Sequence, residues 1–379
     1  MMQIDSKLPQ LGTTIFTVMS QLATEHNAIN LSQGFPNFPI AQQLQETFNK
    51  IGKENVHQYV PMAGYPPLLK AVKDKILLHY DREVDENHEL LITAGATQAI
   101  FTAIQALIKK GDEVVILDPS YDCYAPAVKL AGGKPVHVNL DENFNVDWNK
   151  VNAAFSSKTR MIITNNPHNP SGKVFEEQDI LALETILDRF PDVFLLSDEV
   201  YEFIHFEKPH ISAHTREKLK DRSIITSSFG KTFHVTGWKI GYVVAPKEIM
   251  VEIKKVHQYL VFCVNSVCQI ALATYLPQAD LSKLGSFYKE KRDFFVERMQ
   301  SSKFELLPSY GSYFVTAKYA KIADLDDIAF SKWLTTEKGV AVIPTSVFNT
   351  NKQDNKTIRF CYAKKEETLI QATNLLCKI

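Results

Sequence analysis

Short apolar runs alternate with segments in which apolar residues recur every three or four positions. The runs are strand-like, and they lie at 89–93, 113–117, 135–139, 160–164, 193–197, 223–227 and 241–245. The segments between them have the periodicity of amphipathic helices. Strands that alternate with helices in this way predict an α/β sheet with helices on both faces.

A different pattern begins after residue 245. A long helical stretch at about 246–300 precedes short strand-like runs at 304–307, 313–315, 340–343 and 358–360, and a helix at 365–378 closes the chain. This order predicts a smaller α+β domain. The chain of 379 residues exceeds one ordinary core. We therefore expect two domains, divided into 1–45 (a segment joining the small domain), 46–285 (the large domain) and 286–379 (the small domain).

Lys231 lies in the segment 227–233, directly after a predicted strand. A lysine amine that loses its proton can hold a carbonyl cofactor as a Schiff base. Ser228 and Lys239 would add a hydroxyl and a positive charge that suit a phosphate group. Taken alone, Lys231 is more simply interpreted as a surface lysine in a turn, where most lysines lie.

Asp198 and Tyr201 follow the apolar run 193–197, which has the pattern of a buried parallel strand. An aspartate at the carboxyl end of such a strand could keep a pyridine nitrogen protonated and make the ring an electron sink. Tyr201 could reach a phenolic oxygen of the same ring. The alternative is that Asp198 caps a helix and Tyr201 is a packing residue.

Asn169 stands between two prolines in the segment 165–172, which otherwise has the composition of a turn. The prolines would aim its amide rigidly, as a hydrogen bond to a cofactor oxygen or a substrate carboxylate requires. A turn alone does not need an asparagine there.

A strand-like run at 90–93 leads through a small-residue turn into a helix whose apolar face ends before Gly111. The N-terminus of a helix presents free N–H groups and a positive dipole end to an anion. Gly95, Ala96 and Thr97 therefore form a candidate phosphate cup. Turns of this kind are common in α/β proteins, so the signal is weak by itself.

Together these motifs resemble the class I/II aminotransferases of fold type I, which use pyridoxal phosphate. Within them the chain is similar to the branch of kynurenine aminotransferases (glutamine transaminase K) and bacterial methionine aminotransferases. The resemblance also includes 30–39, 57–59, 64–68 and 358–362, so it covers nearly the whole chain. It implies an aspartate aminotransferase-like fold, in which a large pyridoxal-phosphate-binding domain with a mostly parallel sheet joins a smaller α+β domain.

The resemblance also implies cofactor ligands. The ring would be held by the Schiff-base lysine, an acid at its nitrogen, two donors at its 3-oxygen and a stacked aromatic ring, which are Lys231, Asp198, Tyr201, Asn169 and Tyr121. The phosphate would be held by Ser228, Lys239, Gly95, Ala96 and Thr97, with Tyr59 reaching it from the neighbouring subunit of a homodimer with shared active sites. Many relatives have arginine in place of Lys239, and the kynurenine branch shares the lysine, which loses the bidentate grip.

For the substrate, the resemblance implies that Arg359 grips the α-carboxylate, aided by Asn169 and the N–H of Gly34. Phe16, Phe262 and Cys263 match an apolar and aromatic side-chain pocket without a second arginine. We expect methionine, phenylalanine, tyrosine, glutamine or kynurenine as amino donors to a 2-oxo acid in a ping-pong transamination. The alternative for Phe16 and Phe262 is core or interface packing, and the alternative reaction is that of a cysteine-S-conjugate β-lyase.

Other classes fit less well. A P-loop NTPase would need a glycine five residues before Gly230, where the chain has Ile225. A net charge of −1 and a pI near 6.8 argue against a nucleic-acid partner. No apolar run is long enough to span a bilayer, and the N-terminus has no secretory pattern, so we expect a cytoplasmic protein without a membrane partner. The cysteines and histidines lack ligand spacing, so we expect no metal site.

Overall fold

The computed structural model describes residues 5–9 and 11–379. The strands are Ile29–Asn30 (β1), Leu90–Thr93 (β2), Glu113–Asp118 (β3), Lys134–Asn139 (β4), Thr159–Asn165 (β5), Phe194–Asp198 (β6), Ser223–Ser228 (β7), Gly241–Val244 (β8), Glu305–Leu306 (β9), Phe314–Lys318 (β10), Val340–Ala341 (β11), Ile343–Pro344 (β12) and Thr357–Cys361 (β13).

The α-helices are Ile15–Glu25 (α1), Gln42–Ile51 (α2), Pro66–Tyr80 (α3), Gly95–Leu107 (α4), Tyr124–Leu130 (α5), Trp148–Ala153 (α6), Glu177–Arg189 (α7), Glu217–Lys220 (α8), Phe229–Thr232 (α9), Lys247–Leu260 (α10), Ser266–Tyr275 (α11), Lys283–Met299 (α12), Asp327–Lys338 (α13) and Glu366–Leu376 (α14). Short 3-10 turns lie at Ala213–Thr215, Thr236–Trp238, Leu276–Gln278 and Ser346–Phe348. No helix within the described ranges is long and apolar enough to cross a membrane.

The central sheet has seven strands in the spatial order β2-β8-β7-β6-β5-β3-β4. Its strands pair in parallel except for β8, which runs antiparallel to both β2 and β7. Every residue of β2, β7 and β8 is buried. Burial on both faces explains why β2 and β8 are largely apolar in the sequence, whereas β7 fills its buried positions with serine and threonine as well as isoleucine. The seven predicted strands and the mostly parallel sheet are therefore confirmed.

The carboxyl ends of three adjacent parallel strands meet at one edge of this sheet. Asn165 ends β5 and pairs in register with Asp198, which ends β6. Ser228 ends β7 one strand further along. The short helix α9 begins at the next residue and carries Lys231 to the same edge. This edge is where ligands bind in open α/β sheets.

A second sheet has the order β12-β13-β10-β9, and its strands are antiparallel. Arg359 lies on β13, where it is paired with Thr316 of β10 and Ile343 of β12. The strand β1 pairs in parallel with β11, which ties the N-terminal segment to the C-terminal part of the chain. The α+β pattern is confirmed, whereas the domain limits at residues 45 and 285 stay predictions.

The prediction of one long helical stretch at about 246–300 is wrong, because the stretch is not continuous. The structure divides it into α10, α11 and α12. Phe262 breaks it first, because its φ of 66° lies in the left-handed region. Pro277 lies in the second break. Proline has no backbone N–H, so a continuous helix through this position would lose a hydrogen bond.

A group of buried polar side chains lies beneath the site edge of the central sheet. The Glu202 carboxylate accepts hydrogen bonds from Lys75 Nζ and Tyr242 OH, both at 2.8 Å, and from the hydroxyls of Tyr80 and Ser227. Burial favours the neutral acid, but the positive charge of Lys75 and these donors hold the pKa of Glu202 down to about 2. Glu202 is therefore an ionised carboxylate inside the protein.

Candidate active site

A cavity of about 240 Å³ lies at the edge where β5, β6 and β7 end, and it is closed on another side by β10 and β13. All the predicted site residues except Tyr59, Phe262 and Cys263 line it, namely Phe16, Gly34, Gly95, Ala96, Thr97, Tyr121, Asn169, Asp198, Tyr201, Ser228, Lys231, Lys239 and Arg359. Residues spread over more than three hundred positions of the sequence thus share one cavity.

Lys231 extends from the short helix α9 into this cavity. Its Nζ donates to the hydroxyl of Tyr313 at 2.9 Å and lies 3.4 Å from the carbonyl oxygen of Gly34. Burial lowers the pKa of Lys231 to about 8, and the positive charges of Arg359 and Lys239 act in the same direction. With this pKa, roughly a tenth of the amine is neutral at pH 7 and about half at pH 8, which makes Lys231 a usable nucleophile. The interpretation as a surface lysine is wrong.

Asp198 is buried at the end of β6. Burial raises the pKa of its carboxyl to about 6, although hydrogen bonds from Tyr124 OH at 2.5 Å and Val200 N–H at 3.4 Å oppose the rise. A turn follows Asp198 instead of a helix, so the interpretation as a helix cap is wrong. The Asp198 carboxyl lines the cavity, and when ionised it could bind a cationic ring nitrogen.

The turn into α4 is shaped for an anion. Gly95 has a φ of +76°, and a Cβ built there would lie 3.2 Å from Lys239 Nζ, so the ammonium lies directly beside the start of the helix. The first N–H groups of a helix have no partner within it. Gly241 permits the close approach of β8 to this turn, because a Cβ there would lie 2.6 Å from the Ser227 oxygen and 3.0 Å from Ala96 N.

Two tyrosines flank the cavity. The Tyr121 hydroxyl lies 3.2 Å from Thr97 Oγ1, which connects it to the first turn of α4. The Tyr201 ring packs edge-on against Tyr313, with centroids 5.2 Å apart. Burial raises the pKa of both Tyr121 and Tyr201, so both phenols keep their protons at neutral pH.

Arg359 is almost wholly buried and its guanidinium is held in place on several sides. It donates from Nη1 to Asn169 Oδ1 and from Nη2 to the carbonyl of Ser32, both at 2.8 Å, and its Cζ stacks 3.9 Å from the ring centroid of Phe314. Its Nε has no hydrogen-bond partner among the described residues. A planar guanidinium fixed in this way is suited to bind a carboxylate.

Asn169 therefore has a contact that the sequence did not predict. Its side-chain oxygen accepts from Arg359, and its backbone N–H donates to Asn165 Oδ1 at 2.8 Å. The predicted contacts of Asn169 with a cofactor or substrate stay predictions. Phe16 packs near Arg359 as well, with the guanidinium 5.4 Å from its ring centroid.

Tyr59 and Phe262 lie outside the cavity of their own chain. Their rings meet edge-on at 5.3 Å, and they are 80% and 46% exposed. Tyr259 and Leu260, close to Phe262 in sequence, are also exposed. The predicted roles of Tyr59 and Phe262 therefore require a second subunit and stay predictions.

Two tyrosines that contact predicted site residues had no predicted role. Tyr124 donates to Asp198, and Tyr313 accepts from Lys231. Tyr124 stands three residues after Tyr121 and packs edge-on against its ring with centroids 5.8 Å apart, so its closeness in sequence to a predicted site residue was a signal for it. No comparable signal marks Tyr313, whose partners are distant in sequence.

Comparison with known proteins agrees with this geometry. The family model of aminotransferase class I and II matches residues 26–375. The chain is 47% identical to methionine aminotransferase of Escherichia coli, over 98% of this chain and 97% of that protein. It is 31% identical to human kynurenine–oxoglutarate transaminase 3, over 98% of this chain and 89% of that protein.

Solved structures agree as well. An Escherichia coli structure with a methionine aminotransferase function superposes over the whole of both chains, with a TM-score of 0.96 and 46% identity. The chain also shares the fold of the aspartate aminotransferase from Thermus thermophilus. The α/β architecture with its mostly parallel sheet is thus the aspartate aminotransferase-like fold. From its sequence and its fold alike, this chain belongs to the class I and II aminotransferases.

Proposed function

We propose that this enzyme uses pyridoxal phosphate to move an amino group from an apolar or aromatic amino acid to a 2-oxo acid. The observation that carries the proposal is the pairing, in one cavity, of a lysine whose pKa is lowered to about 8 with a buried aspartate on β6 and a fixed arginine on β13. This combination supplies an amine for an aldehyde, an anion for a ring nitrogen and a fork for a carboxylate.

The described residues fit pyridoxal phosphate. Lys231 would bind its aldehyde, and Asp198 would face its ring nitrogen. The space beside Gly95 suits a phosphate, because Gly95 has no Cβ to fill it and Lys239 Nζ lies next to it. Ser228 lines the same cavity. Tyr121 would cover the ring, while Tyr201 would reach its 3-oxygen. When bound, the cofactor supplies an electron sink for the negative charge that develops at the substrate's Cα.

The chain's own residues do the rest of the work around the substrate. Arg359 binds the α-carboxylate and, held by Asn169 and Ser32, fixes the direction of the Cα–H bond. The neutral amine of Lys231 takes the proton from Cα. Asp198, whose pKa of about 6 leaves it ionised at neutral pH, stabilises a positive charge on the ring nitrogen. The first half of the reaction releases a 2-oxo acid, and a second 2-oxo acid then accepts the amino group.

The cations that line the cavity, Lys231, Lys239 and Arg359, all have assigned partners, which favours substrates with uncharged side chains. Arg359 is the one arginine among the described residues that line the cavity, and it is assigned to the α-carboxylate. A dicarboxylic donor such as aspartate would bury a second carboxylate without a fixed partner there, which is unfavourable. Phe16 offers an aromatic surface instead. The names of the relatives, which refer to methionine and kynurenine, support the same substrate class.

The test is spectroscopic and then kinetic. Purified protein supplied with pyridoxal phosphate should show a protein-bound absorbance band near the visible edge, and Lys231→Ala should abolish it. A panel of amino donors with 2-oxo acids should rank methionine and aromatic donors above aspartate. Release of pyruvate and ammonia from a donor with a β-leaving group would instead reveal β-lyase activity. A wild-type protein without the band would contradict the proposal.

The homodimer and the cytoplasmic location belong to the same proposal. The exposed rings of Tyr59, Tyr259 and Phe262 support a protein contact on that side, because large apolar groups are usually covered. A neighbouring subunit that docks there would bring its Tyr59 to the phosphate side of this cavity.

A further inference from the structure

Tyr313 lies behind Lys231 and is wholly buried. Its hydroxyl oxygen is 2.9 Å from Lys231 Nζ and 2.6 Å from the carbonyl oxygen of Gly34. Lys231 Nζ is also 3.4 Å from that carbonyl. The three polar groups therefore form a small triangle. Lys231 and Gly34 line the cavity, whereas Tyr313 lies outside its lining.

The direction of these hydrogen bonds follows from counting protons. Burial raises the pKa of Tyr313 well above its usual value, so the phenol keeps its single proton. The Gly34 carbonyl can only accept, so this proton is donated to it. The oxygen of Tyr313 must then accept from Lys231. A neutral amine has two N–H bonds and one lone pair. When the N–H bonds are directed at Tyr313 and Gly34, the lone pair is free.

Tyr313 also connects separate parts of the fold. It directly precedes β10, whose Thr316 pairs with Arg359 of β13. Gly34 belongs to the N-terminal segment, and Lys231 belongs to α9 at the edge of the central sheet. One hydroxyl thus joins the lysine to the strand pair that carries the arginine and to the segment that closes over the cavity.

We propose that Tyr313 is a positioning residue that holds the free amine of Lys231 with its lone pair directed away from the protein and toward the substrate. The inference rests on the proposed aminotransferase function. It concerns the part of the reaction in which Lys231 is unattached and must take a proton from Cα. Tyr313 does not touch the substrate, and it acts through the orientation of the lysine.

The first test needs no cofactor. Reductive methylation of the apoenzyme over a range of pH, followed by mass spectrometry of the peptide that contains Lys231, gives the apparent pKa of this lysine. Tyr313→Phe keeps the buried ring and removes the acceptor. Because an ammonium gains more from this acceptor than a neutral amine does, the apparent pKa should fall by roughly half a unit to one unit. An unchanged pKa would count against the proposal.

The second test concerns proton transfer. In Tyr313→Phe, kcat for methionine should fall roughly tenfold or more while KM changes less than about twofold, because the amine loses its alignment but Arg359 does not. The isotope effect with α-deuterated methionine should increase, since proton transfer becomes slower relative to the other steps. An unchanged isotope effect, or a loss confined to KM, would overturn the assignment.

Tyr319→Phe is the matched control. Tyr319 is also wholly buried, and its hydroxyl donates to a backbone carbonyl, that of Leu325, at 2.9 Å. The two variants lose the same kind of hydrogen bond, but Tyr319→Phe should change neither the pKa of Lys231 nor the isotope effect. Equal effects in both variants would show a merely structural role. Failure of the proposed function would appear separately, as a wild-type enzyme without transamination.

Discussion

At the scale of single residues, the sequence identified the groups whose chemistry is distinctive, and it missed the groups that act on them. A lysine, an aspartate and an arginine in characteristic surroundings were recognised as Lys231, Asp198 and Arg359, and all three line one cavity. Tyr124 and Tyr313 were not assigned roles. Tyr124 contacts Asp198, which is 74 positions away, and Tyr313 contacts Lys231, which is 82 positions away. Local sequence patterns do not encode contacts between such distant residues.

Tyr124→Phe tests how the charge of Asp198 is maintained. The hydroxyl of Tyr124 opposes the effect of burial, so its removal should raise the pKa of Asp198 above about 6. A hydrogen bond to a charged group contributes about 1.5–3 kcal/mol. We expect pyridoxal phosphate to bind roughly tenfold more weakly near pH 6.5, with recovery as the pH rises and Asp198 ionises.

Fluorescence titration of the apoenzyme between pH 6 and 9 would measure this difference. Tyr319→Phe again serves as the control and should follow the wild-type pH profile. Equal cofactor affinity in Tyr124→Phe and the wild type at every pH would show that the hydrogen bond does not maintain the charge.

At the scale of helices and strands, the elements whose positions the sequence predicted best are the buried strands. The strands β2, β3, β5 and β6 were located because nearly all of their residues are buried, so apolar residues dominate their runs. The position of the site followed from the rule that parallel strands present their carboxyl ends at one edge. The first break in the stretch 246–300 was not found, because Phe262 adopts a left-handed conformation that usually marks a glycine. Element ends of this kind are set by the whole fold.

Gly241→Ala tests the contact between β8 and the first turn of α4. A Cβ at this position would lie 2.6 Å from the Ser227 oxygen and 3.0 Å from Ala96 N, and backbone atoms cannot rotate away. Overpacking of this kind costs about 1–3 kcal/mol. The variant should unfold at a lower temperature and, because the phosphate cup shifts, should bind pyridoxal phosphate at least about tenfold more weakly.

Gly237→Ala is the matched change, since a Cβ there meets nothing within 4 Å. Thermal unfolding of the apoenzymes and cofactor titrations should place Gly237→Ala with the wild type. A normal cofactor affinity in Gly241→Ala would mean that the turn does not depend on this close approach.

At the scale of the whole molecule, the fold was recoverable from the order of its elements, whereas the assembly was not. Tyr59 and Phe262 are absent from the cavity of their own chain, so their predicted roles depend on a neighbour that intrachain patterns do not reveal. Exposed aromatic groups indicate a contact surface, but they do not give its partner or its geometry.

Subunit mixing tests the shared site. Lys231→Ala and Tyr59→Ala should each be weakly active or inactive alone. In a mixed dimer, the Tyr59→Ala chain retains its lysine and receives an intact Tyr59 from its neighbour, so one site is complete. Random mixing should therefore restore about a quarter of the wild-type activity. No gain on co-refolding, with mixed dimers verified by mass, would show that Tyr59 serves its own chain or none.

The buried carboxylate of Glu202 constrains how this protein can change over evolutionary time. Its charge is matched by Lys75 and by three hydroxyl donors, although neither Glu202 nor Lys75 lines the cavity. Loss of either partner alone leaves an uncompensated internal charge, which commonly costs about 3–5 kcal/mol. A mutational scan should therefore find that single substitutions of Glu202 or of Lys75 strongly reduce stability. Related proteins that lack this ion pair should have replaced both residues.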